Sequence, residues 1–263
     1  MGKVITFGNF KGGVGKTTAT CMISYMLNKK GYRVLTIDFD PQANATKFLT
    51  NSFKVNLDNF TSIYEGIEQE NLSEAILKLT DGFDLLPSAL DLINFNEFLD
   101  EKVGNNDKSN KHYFLTFLLK DIKENYDFII IDVPPTFSDF SNNAVTASDY
   151  SLIIMQTEPD SLLGAIEFNK YVNDMKQFNP NLKVLGILPY LENKRSKIDS
   201  YILETSMSDD LNIRDLVFEK HIYTRERVKR FRINGITNND FHDKKVFKMY
   251  GEVTEELLRK VGI

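Results

Sequence analysis

The chain has 263 residues, 42% hydrophobic and 26% charged, with 32 Lys and Arg against 37 Asp and Glu for a net charge of −5. That balance is ordinary for a soluble globular protein. It gives enough chain for a sizeable core and predicts one domain over residues 1–263. No apolar run reaches the roughly 18 residues of a membrane span. A single cysteine, Cys21, excludes an internal disulfide framework and fits a reducing cytoplasm, and the N-terminus enters the first strand with no room for a signal peptide.

The first apolar run, Val4-Ile5-Thr6-Phe7, predicts a strand. It leads straight into Gly8-Asn9-Phe10-Lys11-Gly12-Gly13-Val14-Gly15-Lys16-Thr17-Thr18 and a helical pattern over 17–30. Strand, glycine loop and helix in that order make a phosphate-binding loop. Gly12, Gly13 and Gly15 have no Cβ to obstruct backbone N–H groups turning inward on phosphate oxygens. Lys16 supplies a point charge for the β and γ phosphates, and the Thr17 hydroxyl a ligand for Mg²⁺. The expected ligand is ATP, contacted by Gly12, Gly13, Val14, Gly15, Lys16, Thr17 and Thr18. Cys21, in the helix, reads as a buried, inert thiol, and Gly31 closes that helix as a C-cap.

A second strand, 34–38, ends in Asp38-Phe39-Asp40-Pro41-Gln42. Strand alternation puts Asp38 and Asp40 on the same side. Hydrolysis needs a group that positions water, and Asp40 takes that role; Asp38 supports the loop, the lysine or the metal's water shell. Residues from about 51 to 80 are irregular and helix-prone, and read as an insertion beside the nucleotide edge. Strands follow at 84–86, 128–132, 152–156 and 184–188, with helices at 88–100, 111–124, 162–178, 196–207 and 242–261. The polar run 104–110 reads as an exposed, mobile loop. Ile, Val and Leu dominate the strands, as in strands buried on both faces. The predicted class is α/β: an open, mostly parallel twisted sheet with helices on both faces, and ligands at the carboxyl ends of the strands.

Strand 128–132 is Phe128-Ile129-Ile130-Ile131-Asp132, an apolar strand ending in an acid. With the glycine loop it makes a metal site in which Asp132 holds Mg²⁺ through water, beside Thr17. Val133-Pro134-Pro135-Thr136 follows, a stiff turn suited to sensing a γ-phosphate, with Pro134 in a supporting role. Further on, residues 220–232 carry Lys220, Arg225, Arg227, Lys229, Arg230 and Arg232 against one acid, Glu226. A local basic patch acts despite an acidic total.

Lys11 lies outside the ordinary formula G-x-x-x-x-G-K-[ST], which would place glycine where this chain has Phe10. The run Lys11-Gly12-Gly13-Val14-Gly15-Lys16-Thr17-Thr18 resembles the deviant Walker A group of P-loop NTPases, and within it the ParA/Soj branch of ATPases that segregates plasmids and chromosomes. The resemblance spans nearly the whole chain. It continues through Asp38 to Thr46, Ile131-Asp132-Val133-Pro134-Pro135, Asn143 to Asp149, and Gln156-Thr157-Glu158 before a helix with Gly164. It implies a homodimer in which two monomers sandwich two ATP molecules. Lys11 would then reach the partner's nucleotide and place positive charge on the transferring phosphoryl group, which makes Lys11, Lys16 and Asp40 the catalytic set. The family's adenine pocket follows a late strand, where Leu188-Pro189-Tyr190 stands, so Pro189 joins the nucleotide contacts.

The resemblance also implies nonspecific DNA binding by the ATP-bound dimer through basic residues. The candidates are Lys194, Arg195 and Lys197, with Arg195 at the place of a family DNA-binding arginine, and Arg225, Arg227, Lys229, Arg230 and Arg232, extended by Lys244, Lys245 and Lys248. A ParB-like or other centromere-binding adaptor protein would stimulate hydrolysis, and specific site reading falls to it because no helix-turn-helix domain precedes the loop. The expected location is cytoplasmic and nucleoid-associated, with no membrane partner. The alternative, a MinD-like membrane-cycling positioning ATPase, has glycine in place of Phe10 and a basic amphipathic tail. Here Val246, Tyr250, Val253, Leu257 and Val261 make an apolar face, but Glu252, Glu255 and Glu256 make the last turns acidic, so the face is expected to dock on the core. A nitrogenase-reductase type would need two cysteines per subunit, and a tyrosine-kinase relative a tyrosine-rich tail.

Overall fold

The computed structural model describes residues 2–104 and 108–263, so residues 105–107 of the predicted polar loop lie outside the described residues. The chain runs β1 (Lys3–Gly8), α1 (Lys16–Lys29), β2 (Val34–Asp38), α2 (Asn44–Phe53), α3 (Ile63–Glu68), β3 (Leu77–Thr80), β4 (Phe83–Leu86), α4 (Phe95–Val103) and the helical turn α5 (Lys108–Lys111). It continues with α6 (Phe114–Leu119), β5 (Phe128–Asp132), α7 (Asp139–Thr146), β6 (Tyr150–Gln156), α8 (Pro159–Met175), β7 (Lys183–Glu192), α9 (Lys197–Ser206), β8 (Ile222–Tyr223), α10 (Glu226–Asn234) and α11 (Phe241–Val261).

The strands form one eight-stranded sheet in the order β3-β4-β2-β5-β1-β6-β7-β8. Every pairing is parallel except the edge pair β3–β4. Strand alternation divides the apolar side chains between the two faces. On β5, Phe128 and Ile130 join a cluster with Met22, Leu27, Tyr250 and Leu257 of α1 and α11. Ile129 and Ile131 instead pack with Leu99, Leu115 and Ala144 of α4, α6 and α7. Each fully buried aliphatic side chain contributes about 1.5–3 kcal/mol by leaving water, so this three-layer packing is what fixes the sheet. β1 lies between β5 and β6, and the chain passes to opposite sides of it, to β2 on one side and to β6 and β7 on the other. The carboxyl ends around β1 are therefore where ligands of such sheets bind.

All six expected strands are present, together with two that periodicity did not reveal. β3 has only one buried residue, Leu79, in four, and β8 has two residues in all; neither is long enough to show a period. The helix expected over 111–124 is broken into α5, α6 and a 3₁₀ turn at Lys123–Asn125, and that over 88–100 begins as a 3₁₀ turn at Leu90–Asn94. The region expected to be irregular and helix-prone contains α3, started by a capping box. The Ser62 hydroxyl accepts from the Glu65 N–H at 3.1 Å, and the Glu65 carboxylate accepts from the Ser62 N–H at 2.7 Å. α3 then buries Ile63, Tyr64 and Ile67 in the core. The apolar face of α11 is also inside, with Val246, Tyr250, Val253, Leu257 and Val261 all buried against the sheet and α1.

Candidate active site

β1 delivers the glycine loop to the end of the sheet, and two close approaches fix its path. Gly15 has φ 98°, and a Cβ there would lie 2.3 Å from Tyr190 Cε1, so both conformation and space demand glycine. Gly164 lets α8 abut the loop: a Cβ on it would meet Asn9 Oδ1 at 2.4 Å. Asn9 is the anchor between them. Its Nδ2 donates to the carbonyls of Ile154 at 2.8 Å and Ser161 at 3.1 Å, while its Oδ1 accepts from the Lys11 N–H at 2.8 Å. Sequence reading included Asn9 in the motif but gave it no role; its partners lie about 150 residues away in the chain.

A cavity of about 280 Å³ opens over the loop. The loop and α1 contribute Gly13, Gly15, Lys16, Thr17 and Thr18; the segment after β2 contributes Asp40, Gln42 and Asn44; Val133 and Pro135 follow β5; and Arg232 comes from α10. Pro135 rather than Pro134 faces the loop, with its Cγ 3.8 Å from where a Gly12 Cβ would stand. Val14 is in the core, so only its backbone is available to a ligand. Pro189 is buried within β7, paired with Met155, and is not on the wall of this cavity. Its neighbour Tyr190 is the residue that touches the loop.

The charges in the cavity are buried and mutually dependent. Lys16 is 7% exposed, and its Nζ donates a long 3.4 Å bond to the Lys11 carbonyl. Burial lowers its pKa, against the opposing pull of Asp132 and Asp40. Asp132 sits at the end of β5 directly beside Asp38 in register. Burial, reinforced by the Asp38 charge, raises its carboxyl to about 8, although the Thr17 hydroxyl and Lys16 favour the ionised form. Thr20 Oγ1 donates to its Oδ1 at 3.3 Å, whereas Oδ2 is buried with no hydrogen-bond partner.

An orphaned buried carboxylate oxygen beside a threonine suits a hard cation. Among the described residues no group of three or more His, Cys, Asp or Glu could hold a metal. A metal here must complete its shell with phosphate oxygens and water, as Mg²⁺ does. Without it, Asp132 is neutral in the fold and ionised in the unfolded chain between its ordinary 3.8 and about 8. Folding therefore takes up a proton, and stability falls as pH rises through that window. Thermal melts of the nucleotide-free, metal-free protein from about pH 6 to about pH 8 should show a falling Tm, with a flatter profile for Asp132→Asn; a wild-type Tm independent of pH would contradict this.

Asp38 and Asp40, expected on the same side, differ in burial and in partners. Asp38 ends β2, is fully buried and is committed to α2: its Oδ2 accepts from Thr46 N–H at 2.7 Å and Thr46 Oγ1 at 2.8 Å. Ala43, at the N-cap of α2, has no side chain able to cap it, so Asp38 satisfies the open helix end from the neighbouring strand. Burial raises its carboxyl to about 6, with the Thr46 bonds opposing. Its Oδ1 also accepts from the Asp40 N–H at 3.4 Å, a bond to the segment after β2 and not to the glycine loop. Asp40 stands beyond the strand, half-exposed on the cavity wall. Its Oδ1 accepts from Gln42 N–H at 2.9 Å and its carbonyl from Ser88 Oγ at 2.8 Å.

Lys11 is not on the wall of its own cavity. Its Nζ pairs with Asp160 of α8 at 2.9 Å, with both side chains largely exposed. Phe10 packs beside it in an aromatic cluster with Phe137, Phe168 and Tyr171, at centroid distances of 3.5, 4.9 and 5.4 Å. The residue that departs from the ordinary loop formula thus links the glycine loop to the turn after β5 and to α8.

The two basic segments, read separately in sequence, follow adjacent parallel strands and meet in space. Lys194, Arg195 and Lys197 follow β7, and Arg225 to Arg232 follow β8. Lys194 Nζ lies 4.0 Å from the Tyr223 ring, and Thr224 N–H donates to the Glu192 carbonyl at 2.9 Å. Arg225 and Arg230 line an open cleft of about 410 Å³ with His242 and Lys245 of α11. Arg227 lines the same cleft, but it and Arg232 are also engaged elsewhere. Arg232 is on the glycine-loop cavity. Arg227 is a clamp, pairing with Asp240 at 2.5 Å and with the fully buried Asp243 at 3.2 Å, and so ties α10 to the start of α11. Arg227→Ala leaves a buried carboxylate uncompensated and should cost on the order of 2–4 kcal/mol in denaturant unfolding, whereas Arg230→Ala, exposed, should change stability by less than about 0.5 kcal/mol.

The family model of the AAA domain matches residues 2–184. The chain is 32% identical over 208 residues to the chromosome partitioning protein ParA of Myxococcus xanthus, covering 78% of this chain and 70% of that one. It is 32% identical over 207 residues to the sporulation initiation inhibitor protein Soj of Bacillus subtilis, covering 78% of each. Among solved structures, a putative plasmid partition protein of Borrelia burgdorferi bound to AMPPNP superposes with a TM-score of 0.81 at 27% identity, over 99% of this chain and 100% of that one.

Proposed function

The chain belongs to the ParA/Soj family of P-loop ATPases, and on that premise we propose that it partitions DNA as an ATP-switched dimer. ATP closes two subunits face to face, the dimer binds DNA without sequence preference, and a ParB-like or other centromere-binding adaptor triggers hydrolysis and release. The observation that carries this reading is Lys11: an exposed cation on the phosphate loop, paired outside its own cavity and free to serve the nucleotide of a second subunit.

The glycine loop and Lys16 hold the phosphates, and the half-exposed Asp40 orients the attacking water. Thr17 and Asp132 would hold Mg²⁺, which when bound neutralises charge on the phosphates. Lys11 of the partner subunit adds positive charge where the transferring phosphoryl group develops it. Exposed Arg195, Lys197, Arg225, Lys229 and Arg230, with Lys194 beside them, supply phosphate contacts along one edge of the sheet. The membrane-cycling alternative is weakened because the apolar face of α11 is already buried.

A binding titration with random-sequence duplex DNA in ADP, ATP and a slowly hydrolysed analogue, repeated with anionic liposomes, tests this reading. DNA binding with ATP or its analogue alone is expected, with affinity falling with salt at a log–log slope of about −0.9 per phosphate neutralised. ATP-dependent binding to liposomes instead of DNA would sink the partition reading in favour of the membrane one.

A further inference from the structure

Arg232 lies on the same helix as the exposed basic residues Lys229 and Arg230 but serves a different surface: it lines the glycine-loop cavity together with Lys16, Thr18 and Asp40. Its place there is fixed from α2. Asn51 Nδ2 donates to the Ile233 carbonyl, next to Arg232, at 2.7 Å, and Ser52 Oγ accepts from the Ile236 N–H at 3.0 Å. The turn at Gly235 packs so closely on α2 that a Cβ there would lie 2.8 Å from the Asn51 carbonyl oxygen. α2 in turn begins at the cavity, where Asn44 lines it and Asp38 caps the helix. Cavity, α2 and the C-terminal end of α10 therefore form one connected unit.

The end of the cavity occupied by Arg232 can also be read. Its charge is felt at the Cys21 thiol and the Tyr190 hydroxyl, where it opposes the rise that burial imposes on both. Cys21 lies one helical turn beyond Thr18 on α1, and Tyr190 backs Gly15. Lys11 pairs with Asp160 on α8. Arg227 and Lys229 are each within reach of a carboxylate, while among the described residues Arg232 forms no such ion pair.

Resting on the nucleotide reading above, we propose that Arg232 is a ligand of the bound nucleotide, contacting the α-phosphate, and not a DNA contact. A planar guanidinium on the cavity wall, with no ion pair of its own among the described residues, presents paired donors to phosphate oxygens.

The test is a calorimetric titration of ADP and of a non-hydrolysable ATP analogue, each with Mg²⁺, into wild type, Arg232→Gln, Arg232→Lys and Lys16→Ala. Arg232→Gln should raise both Kd values by the same factor, about 10- to 100-fold for a lost charge-assisted contact, with Arg232→Lys between it and wild type. At saturating analogue, DNA affinity of Arg232→Gln should stay within about twofold of wild type, since no phosphate contact is lost. Unchanged nucleotide affinity, or loss of DNA affinity at saturating nucleotide, overturns the proposal and returns Arg232 to the DNA face. A loss confined to the ATP analogue overturns the α-phosphate assignment. If Arg232→Gln does not fold, Arg232→Lys, which keeps the charge and loses the planar fork, carries the same comparison. Lys16→Ala separates the two levels: ADP binding by that variant means the nucleotide site itself is wrong, whereas its loss alongside normal binding by the Arg232 variants means that only this inference is.

Discussion

Lys16→Ala should abolish nucleotide binding, with calorimetry showing a loss on the order of a thousandfold or more for both ATP and ADP. Lys16 is the cation that stands between the phosphates and two acids, and Asp132 and Asp40 both act on it electrostatically. Without it those acids meet the phosphate charge directly. One such interaction at about 4 Å is worth about 4 kcal/mol at an effective dielectric constant near 20, close to three powers of ten. The fold should survive, because Lys16 makes one long bond to the Lys11 carbonyl and is held at a desolvation cost. An unchanged thermal melt for the nucleotide-free variant, together with lost binding, is the expected pair of results. Near-normal affinity would mean that the loop does not hold its ligand through this lysine.

Asp40→Ala should separate binding from turnover. Among the described residues, Asp40 is the one carboxylate on the cavity wall, half-exposed and able to meet water. Asp38 cannot replace it, because it is buried and bonded to Thr46, and Asp132 is buried at the end of β5 beside Thr17 and Thr20. Single-turnover hydrolysis should fall by about 10²- to 10⁴-fold, the usual contribution of a positioned base. Affinity for ATP should stay within a few-fold, since the glycine loop and Lys16, which hold the phosphates, are unchanged. Normal turnover in this variant would remove Asp40 from the role assigned to it.

The nucleotide loop was legible because its chemistry is local. Strand, glycines, lysine and threonine fall within 16 consecutive residues, 3–18, and each residue type has a steric or electrostatic reason to be there. The central strands were legible for a similar reason: runs such as Phe128 to Asp132 are apolar on both faces. What escaped was set by contacts across the chain. α2 has Thr and Asn through much of its length, poor helix formers, and is started by an aspartate on β2 rather than by its own N-cap. Alternation gave Asp38 and Asp40 equivalent places, but the strand stops at Asp38, which is buried on Thr46, while Asp40 stands half-exposed beyond it. The six bases of 220–232 looked equivalent in sequence. α10 then separates three of them: Arg230 into an outer cleft, Arg227 onto Asp243, and Arg232 onto the glycine-loop cavity. Charge counting finds a basic segment, but the helical turn and its neighbours decide what each cation does.

The central claim is that Lys11 completes the site of a second subunit, and sedimentation of Asp40→Ala tests it directly. With ATP and Mg²⁺ the 30.3 kDa chain should sediment as a dimer, with ADP as a monomer, and the double variant Lys11→Ala, Asp40→Ala as a monomer in both. A chain that stays monomeric with ATP at concentrations well above its nucleotide Kd, or a Lys11→Ala double variant that dimerises as readily as its parent, would contradict the account.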